Sequence, residues 1–218
     1  MYHHATDYNE IKERLGIVEG LMSDDSGFHN SVFRGKDVTS YLNDGTLYTR
    51  ISSGKFTDLY VGDYFTKSIT IDGNTTTVTW RIAGFDMYYN KGDSCDDGTA
   101  CKVHHAVIVP DTNLTSAVMN DSNTISGGYV GSKMYTTTLP SIKTAIQNAF
   151  GSSHILKYRA LLSNATNTSA TNRYPGTTGA SNDWAWYDAY VNLMNMVQVT
   201  GNIGFSSSAF DTGADNTT

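Results

Sequence analysis

Asp72-Gly73-Asn74 stands between two β-rich runs, residues 69–71 and 77–85. Asp-Gly is the dipeptide that a tight hairpin turn favours, because both central residues must take positive φ. A chain with this signal is committed to antiparallel pairing at that point. The second arm, TVTWRIAGF, alternates with the strand period and sets Val78, Trp80 and Ile82 on one face. Residues 107–109 form a short apolar strand stopped by Pro110-Asp111.

Helices are expected around this strand framework. Thr6 or Asp7 can cap a first one, with Glu10 placed for a capping box. Ile11, Leu15, Val18 and Met22 then recur at helical spacing as one narrow apolar stripe. The stripe packs on the domain, or it self-associates or docks the chain onto a larger particle. Polar residues 23–30 end that helix. A second helix is expected over residues 44–53, with Leu47 and Ile51 inward and Gly54 as its stop. Phe56, Leu59, Val61 and Tyr64 read as buried contacts in a turn leading to a strand. Thr138 caps and Pro140 opens another helix, whose inward face is Ile142, Ile146 and Phe150 and whose end is Gly151. Residues 164–183 are rich in Thr, Ser, Asn and Gly and read as a long exposed loop. WAWYDAYVNLMNMVQV follows with near-alternating apolar residues, which favours strands.

Composition narrows the function classes. Charged residues make up 17% of 218, below the usual share of about a quarter, and 14 tyrosines are present. A net charge of −6 with no Lys/Arg run argues against binding nucleic acid through its phosphates. No apolar run approaches the roughly 18 residues of a membrane helix. The N-terminus MYHHATDYNEIKERL lacks the apolar core of a secretory signal, so folding in a cytoplasm is expected.

Chemistry-bearing residues are present but scattered. Cys95 and Cys101 share one loop, SCDDGTAC, and are either free thiols or a short-loop disulfide. His104-His105 precedes a strand; neighbours on a strand point to opposite faces, so the pair does not chelate one ion. The expected arrangement is one histidine inward and hydrogen-bonded, the other solvated. His3-His4 carries the same limitation. Asp93, Asp96, Asp97 and Gly98 form an acidic loop without the alternate spacing of an EF-hand, read as a solvated turn rather than a calcium site. Asp63, Asp86, Asp111, Asp183 and Asp188 offer no selected pair for glycoside hydrolysis. GGYVGS and GFSSSAF lack the hydrolase elbow, and no GK[ST] completes a phosphate loop. No metal, cofactor or catalytic residue is expected. Trp184, Trp186, Tyr187, Asp188, Tyr190, Asn192 and Asn195 form the strongest binding segment: rigid rings for stacking beside amides and a carboxylate that orient hydroxyls. The competing reading makes the two tryptophans core residues. If Tyr187 faces the other way, only one of the two sets is exposed.

The phrases HHAVIVPD, MND, GGYVGSKMYTTTLP and AFGSSHIL, with GKFTDLYVGDYFT, TWRIAGFDMYYNKGD and WAWYDAYVNLMNMVQVTG, cover most of the chain. In this order they resemble a family of uncharacterised virion-associated proteins of tailed bacteriophages and prophages of Gram-positive hosts. The resemblance implies a C-type-lectin-like α+β core, with a mixed, mostly antiparallel sheet and a few helices. It implies domains at 1–30, a helical docking or oligomerisation segment, and 31–218, a display domain. It also implies an apolar, a WWLR-like and a GVRP-like segment beyond residue 201 that this sequence does not carry, so lectin-like closure is expected to be incomplete. The loop with Cys95 and Cys101 departs from the family pattern too. The implied role is non-enzymatic: a fibre, spike or decoration subunit on the virion surface, homo-oligomeric as a trimer, touching other virion proteins and a host-surface glycan or protein. A purely structural decoration subunit and a wall depolymerase are the alternatives.

Overall fold

A computed structural model describes residues 26–92, 101–165 and 184–194. Its elements follow in chain order. Three short helices, α1 (Ser26–Ser31), α2 (Thr39–Asn43) and α3 (Thr46–Ser52), lead to strands β1 (Tyr64–Ile71), β2 (Asn74–Phe85) and β3 (Ala106–Pro110). A π-helical turn, Met134–Thr138, runs into helix α4 (Leu139–Phe150), followed by strands β4 (Tyr158–Ser163) and β5 (Trp184–Ala189). One sheet has the order β1-β2-β3 and the second pairs β4 with β5. The fold is thus mixed α+β with antiparallel sheets.

The chain gathers into two compact units. The first holds the described residues up to Ser68, with Thr77–Tyr89 and Val103–Asn113. The second holds Ile69–Thr76 and the described residues of Asn90–Lys102 and from Leu114 onward.

The hairpin forms where it was expected. Asp72 and Gly73 take φ of 50° and 78°, the positive pair that lets a two-residue turn match the strand twist. Thr70 pairs with Thr75 and Ser68 with Thr77 through their hydroxyls, at 2.8 and 3.0 Å, which sets the register. The Cβ of an alanine at 73 would meet nothing within 4 Å, so Gly73→Ala carries backbone strain alone. Its expected cost is about 1 kcal/mol, read from a urea melt. A change near zero would remove the turn argument.

Val78, Trp80 and Ile82 are all buried, as the alternation requires, and Trp80 Nε1 donates to the Lys67 carbonyl at 3.3 Å. β2 then bulges between Ile82 and Gly84 against β3. At its end the Asn30 amide grips Phe85: Oδ1 accepts its N–H at 2.7 Å and Nδ2 donates to its carbonyl at 2.9 Å. The rings of Phe56 and Phe85 lie 4.5 Å apart, with buried His29 edge-on to both. His29 Nδ1 donates to the Leu59 carbonyl at 2.6 Å, which settles a polar ring among apolar ones.

Several expectations shift. Residues 26–31, read as the polar end of a helix, form α1 itself. The second helix is shorter than 44–53, and Ile51 is half-buried where Leu47 is buried. Phe56 and Leu59 are buried but Val61 and Tyr64 are half-buried; their backbone bridges in parallel to Phe33 and Asp37. Thr138 does not cap α4. It has helical φ and ψ and its side chain makes no capping bond, because the π-helical turn already occupies the N-terminal side. Ile142, Ile146 and Phe150 are buried as expected, and Gly151 follows the last turn. Strand β4 then begins at Tyr158.

Candidate functional site

Strands β4 and β5 pair in an unbroken antiparallel register, with Tyr158 opposite Ala189, Ala160 opposite Tyr187 and Leu162 opposite Ala185. Ala160, Leu162 and Ala189 are buried in a core with Tyr129, Met134 and Leu139, and Tyr158 and Tyr187 pack against it. Side chains alternate along a strand, so the intervening pairs face the other way. Those pairs are Arg159 with Asp188 and Leu161 with Trp186.

The outer face therefore combines one indole with a compact charge cluster. Trp186 is 36% exposed. Arg159 Nη1 donates to Asp188 Oδ1 at 2.7 Å, and Lys157 Nζ to Asp188 Oδ2 at 3.2 Å. Arg159 Nη2 also donates to the Trp186 carbonyl at 3.0 Å, fixing the guanidinium beside the indole-bearing residue. Arg159 is held firmly: its side chain is 13% exposed, and the backbone of Gly92 lies against it. The hydrogen bond from Arg159, helped by Lys157 and opposed by partial burial, holds the Asp188 carboxyl below its usual value. Asp188 is thus an anionic acceptor whose two oxygens each already meet one cation.

The other sequence candidates divide. Tyr187 turns inward to the core. The Tyr190 ring lies under the Lys143 ammonium, 4.0 Å from its centroid. Asn192 Nδ2 donates to Tyr158 Oη at 2.9 Å and braces the strand behind the face. Trp184 is in backbone register with Ser163. Asn195, the stripe Ile11, Leu15, Val18 and Met22, His3-His4, Cys95 and the acidic residues Asp93, Asp96 and Asp97 lie outside the described residues. Cys101 is buried. Lys157 and Arg159 were missed by sequence reasoning. Their signal was the spacing K-x-R, which puts two cations on one side of a strand.

Behind the face, Tyr129 Oη accepts the Leu193 N–H at 3.1 Å. Burial pushes this phenol up to about 12, against the Leu193 bond and with Tyr135 adding to the rise. The folded chain then holds the phenolic proton more tightly than the unfolded chain. The stability this contributes is full below pH about 10 and is lost as pH rises toward about 12, by roughly 2–3 kcal/mol. Urea melts across that window, with tyrosinate absorbance followed in parallel, should show the loss, and Tyr129→Phe should flatten it.

The first unit holds two polar clusters of its own. Asp86 Oδ2 meets His104 Nδ1 at 2.8 Å, and Asp86 Oδ1 accepts the His105 N–H at 3.0 Å. His105 is buried; its Nε2 accepts the Tyr88 N–H at 3.1 Å and its Nδ1 donates to the Val103 carbonyl at 3.0 Å. His104 is partly exposed and stacks on Tyr89, with centroids 5.0 Å apart. One histidine is therefore inward and one reaches solvent. They precede β3 rather than lie in it, so both can address a single carboxylate. Among the described residues no group of three or more His, Cys, Asp or Glu could hold a metal ion. The second cluster centres on Asp63, which is fully buried and accepts Arg34 Nε at 3.0 Å and Arg34 Nη2 at 2.6 Å. It also accepts the N–H groups of Lys36 and Tyr60 at 2.8 and 2.9 Å. Every bond to this carboxylate is internal, so the cluster is a structural clasp.

No helix among the described residues is long and apolar enough to cross a membrane. No family model, curated protein or solved structure matches the chain.

Proposed function

We propose that this chain is a surface protein of a tailed-phage virion, a fibre, spike or decoration subunit that attaches to the envelope of a Gram-positive host. In this reading the α+β framework is a C-type-lectin-like display domain. Copies associate as a trimer through Ile11, Leu15, Val18 and Met22, against other virion proteins. The ordered phrases from GKFTDLYVGDYFT to WAWYDAYVNLMNMVQVTG support the setting. The attachment role is carried by one observation: Trp186 stands outward on the β4–β5 face beside the Asp188–Arg159 pair. A large ring partly in water costs stability, and beside a fixed polar pair it offers contact area with little entropy to lose on binding.

The test uses purified virions and the intact chain. Antibody to the chain should decorate intact particles, light scattering should give a trimeric mass, and labelled protein should adsorb to host cells. Absence from particles would overturn the virion reading. Presence on particles without any adsorption to cells would leave a structural subunit in place of an attachment protein.

A further inference from the structure

The charge balance of the β4–β5 face says what kind of molecule it suits. We propose that the face binds a neutral pyranose ring, stacked on Trp186 and hydrogen-bonded through Asp188 and Lys157, without a divalent cation. The inference rests on the attachment reading and names its ligand class.

Wall polymers of opposite character make the choice sharp. A polyanion, such as a chain of glycerol phosphates, needs uncompensated cations. Here Lys157 and Arg159 both bond to Asp188, at 3.2 and 2.7 Å, so the three groups together carry a single positive charge, little to set against a polyanion. The chain as a whole carries −6, which adds repulsion. A calcium-bridged sugar needs carboxylates with charge to give. Both oxygens of Asp188 already face a cation, and among the described residues no group of three or more His, Cys, Asp or Glu could hold a metal ion.

A neutral ring meets neither obstacle. Each Asp188 oxygen has a second lone pair, and the side chain is 45% exposed, so adjacent hydroxyls can donate to it. Lys157, 35% exposed, can donate onward to a hydroxyl oxygen. Trp186 and Asp188 are two residues apart on one strand face, about 7 Å. That is the width of one sugar ring with its hydroxyls. Leu161, directly opposite Trp186, extends the apolar floor.

The experiment is ligand-observed NMR on the intact chain with methyl hexopyranosides and a linear N-acetylglucosamine oligomer, with poly(glycerol phosphate) as the anionic counter-probe. The expected result is saturation transfer to ring protons of at least one neutral sugar, unchanged by EDTA and little changed by salt. Trp186→Ala should abolish it. Asp188→Asn should weaken it about 10-fold while strengthening poly(glycerol phosphate) binding, because the carboxylate that offsets the two cations is then neutral. Circular dichroism establishes that each variant is folded, and Asp188→Asn keeps the test valid if Trp186→Ala is not. No transfer to any neutral sugar, transfer abolished by EDTA, or neutral-sugar affinity unmoved in Asp188→Asn would overturn the proposal. Cells that adsorb the chain while no neutral sugar binds would sink this inference alone. Sugar binding without cell adsorption would instead sink the attachment role.

Discussion

Asp63→Ala is expected to lower the unfolding free energy by about 3–5 kcal/mol, the range for breaking a buried charged pair from one side. Asp63 is fully buried and takes four hydrogen bonds, two from the Arg34 guanidinium and two from backbone N–H groups. Alanine leaves the Lys36 and Tyr60 N–H groups without that acceptor and removes the bidentate partner of Arg34. Asp58 supplies the contrast. It meets Arg34, Lys36 and Tyr41, but its side chain is 40% exposed. Burial alone would raise the Asp58 pKa; the bonds from Lys36, Tyr41 and Arg34 outweigh it and hold the carboxyl well below the usual range. Its stabilisation is present above pH about 4 and is lost as the pH falls through the depressed folded value. Water screens this pair, so Asp58→Ala should cost only about 1 kcal/mol or less. Urea melts of both variants decide the matter. Equal losses would mean that burial does not set the ranking and that the clasp is not centred on Asp63.

The parts of the fold legible in the sequence were those held by neighbours along the chain. Asp72-Gly73 declares its turn through backbone sterics alone, and the alternation of Val78, Trp80 and Ile82 follows from the strand period. The face of α4 formed by Ile142, Ile146 and Phe150 was readable for the same reason. Helix α2 was not, because five residues carry too little periodicity to stand out. The π-helical turn before Leu139 was not, because nothing in MYTTT distinguishes it from a capped start. Asp63 read only as one carboxylate among several, since the arginine that pairs with it lies 29 residues earlier. The candidate site shows the same division. Trp186 and Tyr187 had to face opposite ways, but which of them met water depended on the core formed by Tyr129, Met134 and Leu139. The Arg159–Asp188 pair was hidden because β4 and β5 meet only after a long intervening segment.

Gly128→Ala is the variant in which stability and binding should fail together. Gly128 and Gly73 both take positive φ, +60° and +78°, so alanine strains the backbone at either position. Their surroundings differ. A Cβ at 128 would lie 2.6 Å from the Ala165 nitrogen, 2.8 Å from the Asn164 carbonyl carbon and 3.0 Å from the Ser163 carbonyl oxygen. All three are main-chain atoms, which cannot swing aside as the tip of a side chain can. The expected cost is therefore about 2–4 kcal/mol, joining left-handed strain to overpacking, against about 1 at Gly73. The displaced atoms lie at the end of β4. There the Ser163 carbonyl accepts the Val130 N–H at 3.1 Å and Ser163 pairs with residue 184 of β5. Moving that end disturbs the register that sets Arg159 opposite Asp188 and Leu161 opposite Trp186. Adsorption to cells should then fall with stability, whereas Gly73→Ala, at the tip of another sheet, should lose its smaller increment and keep binding. Amide shifts in Gly128→Ala should concentrate on residues 127–131 and on β4 and β5. A loss no larger than that of Gly73→Ala, with β4–β5 amides unmoved, would show that the chain at 163–165 yields easily and that the close approach at Gly128 does not hold the face in place.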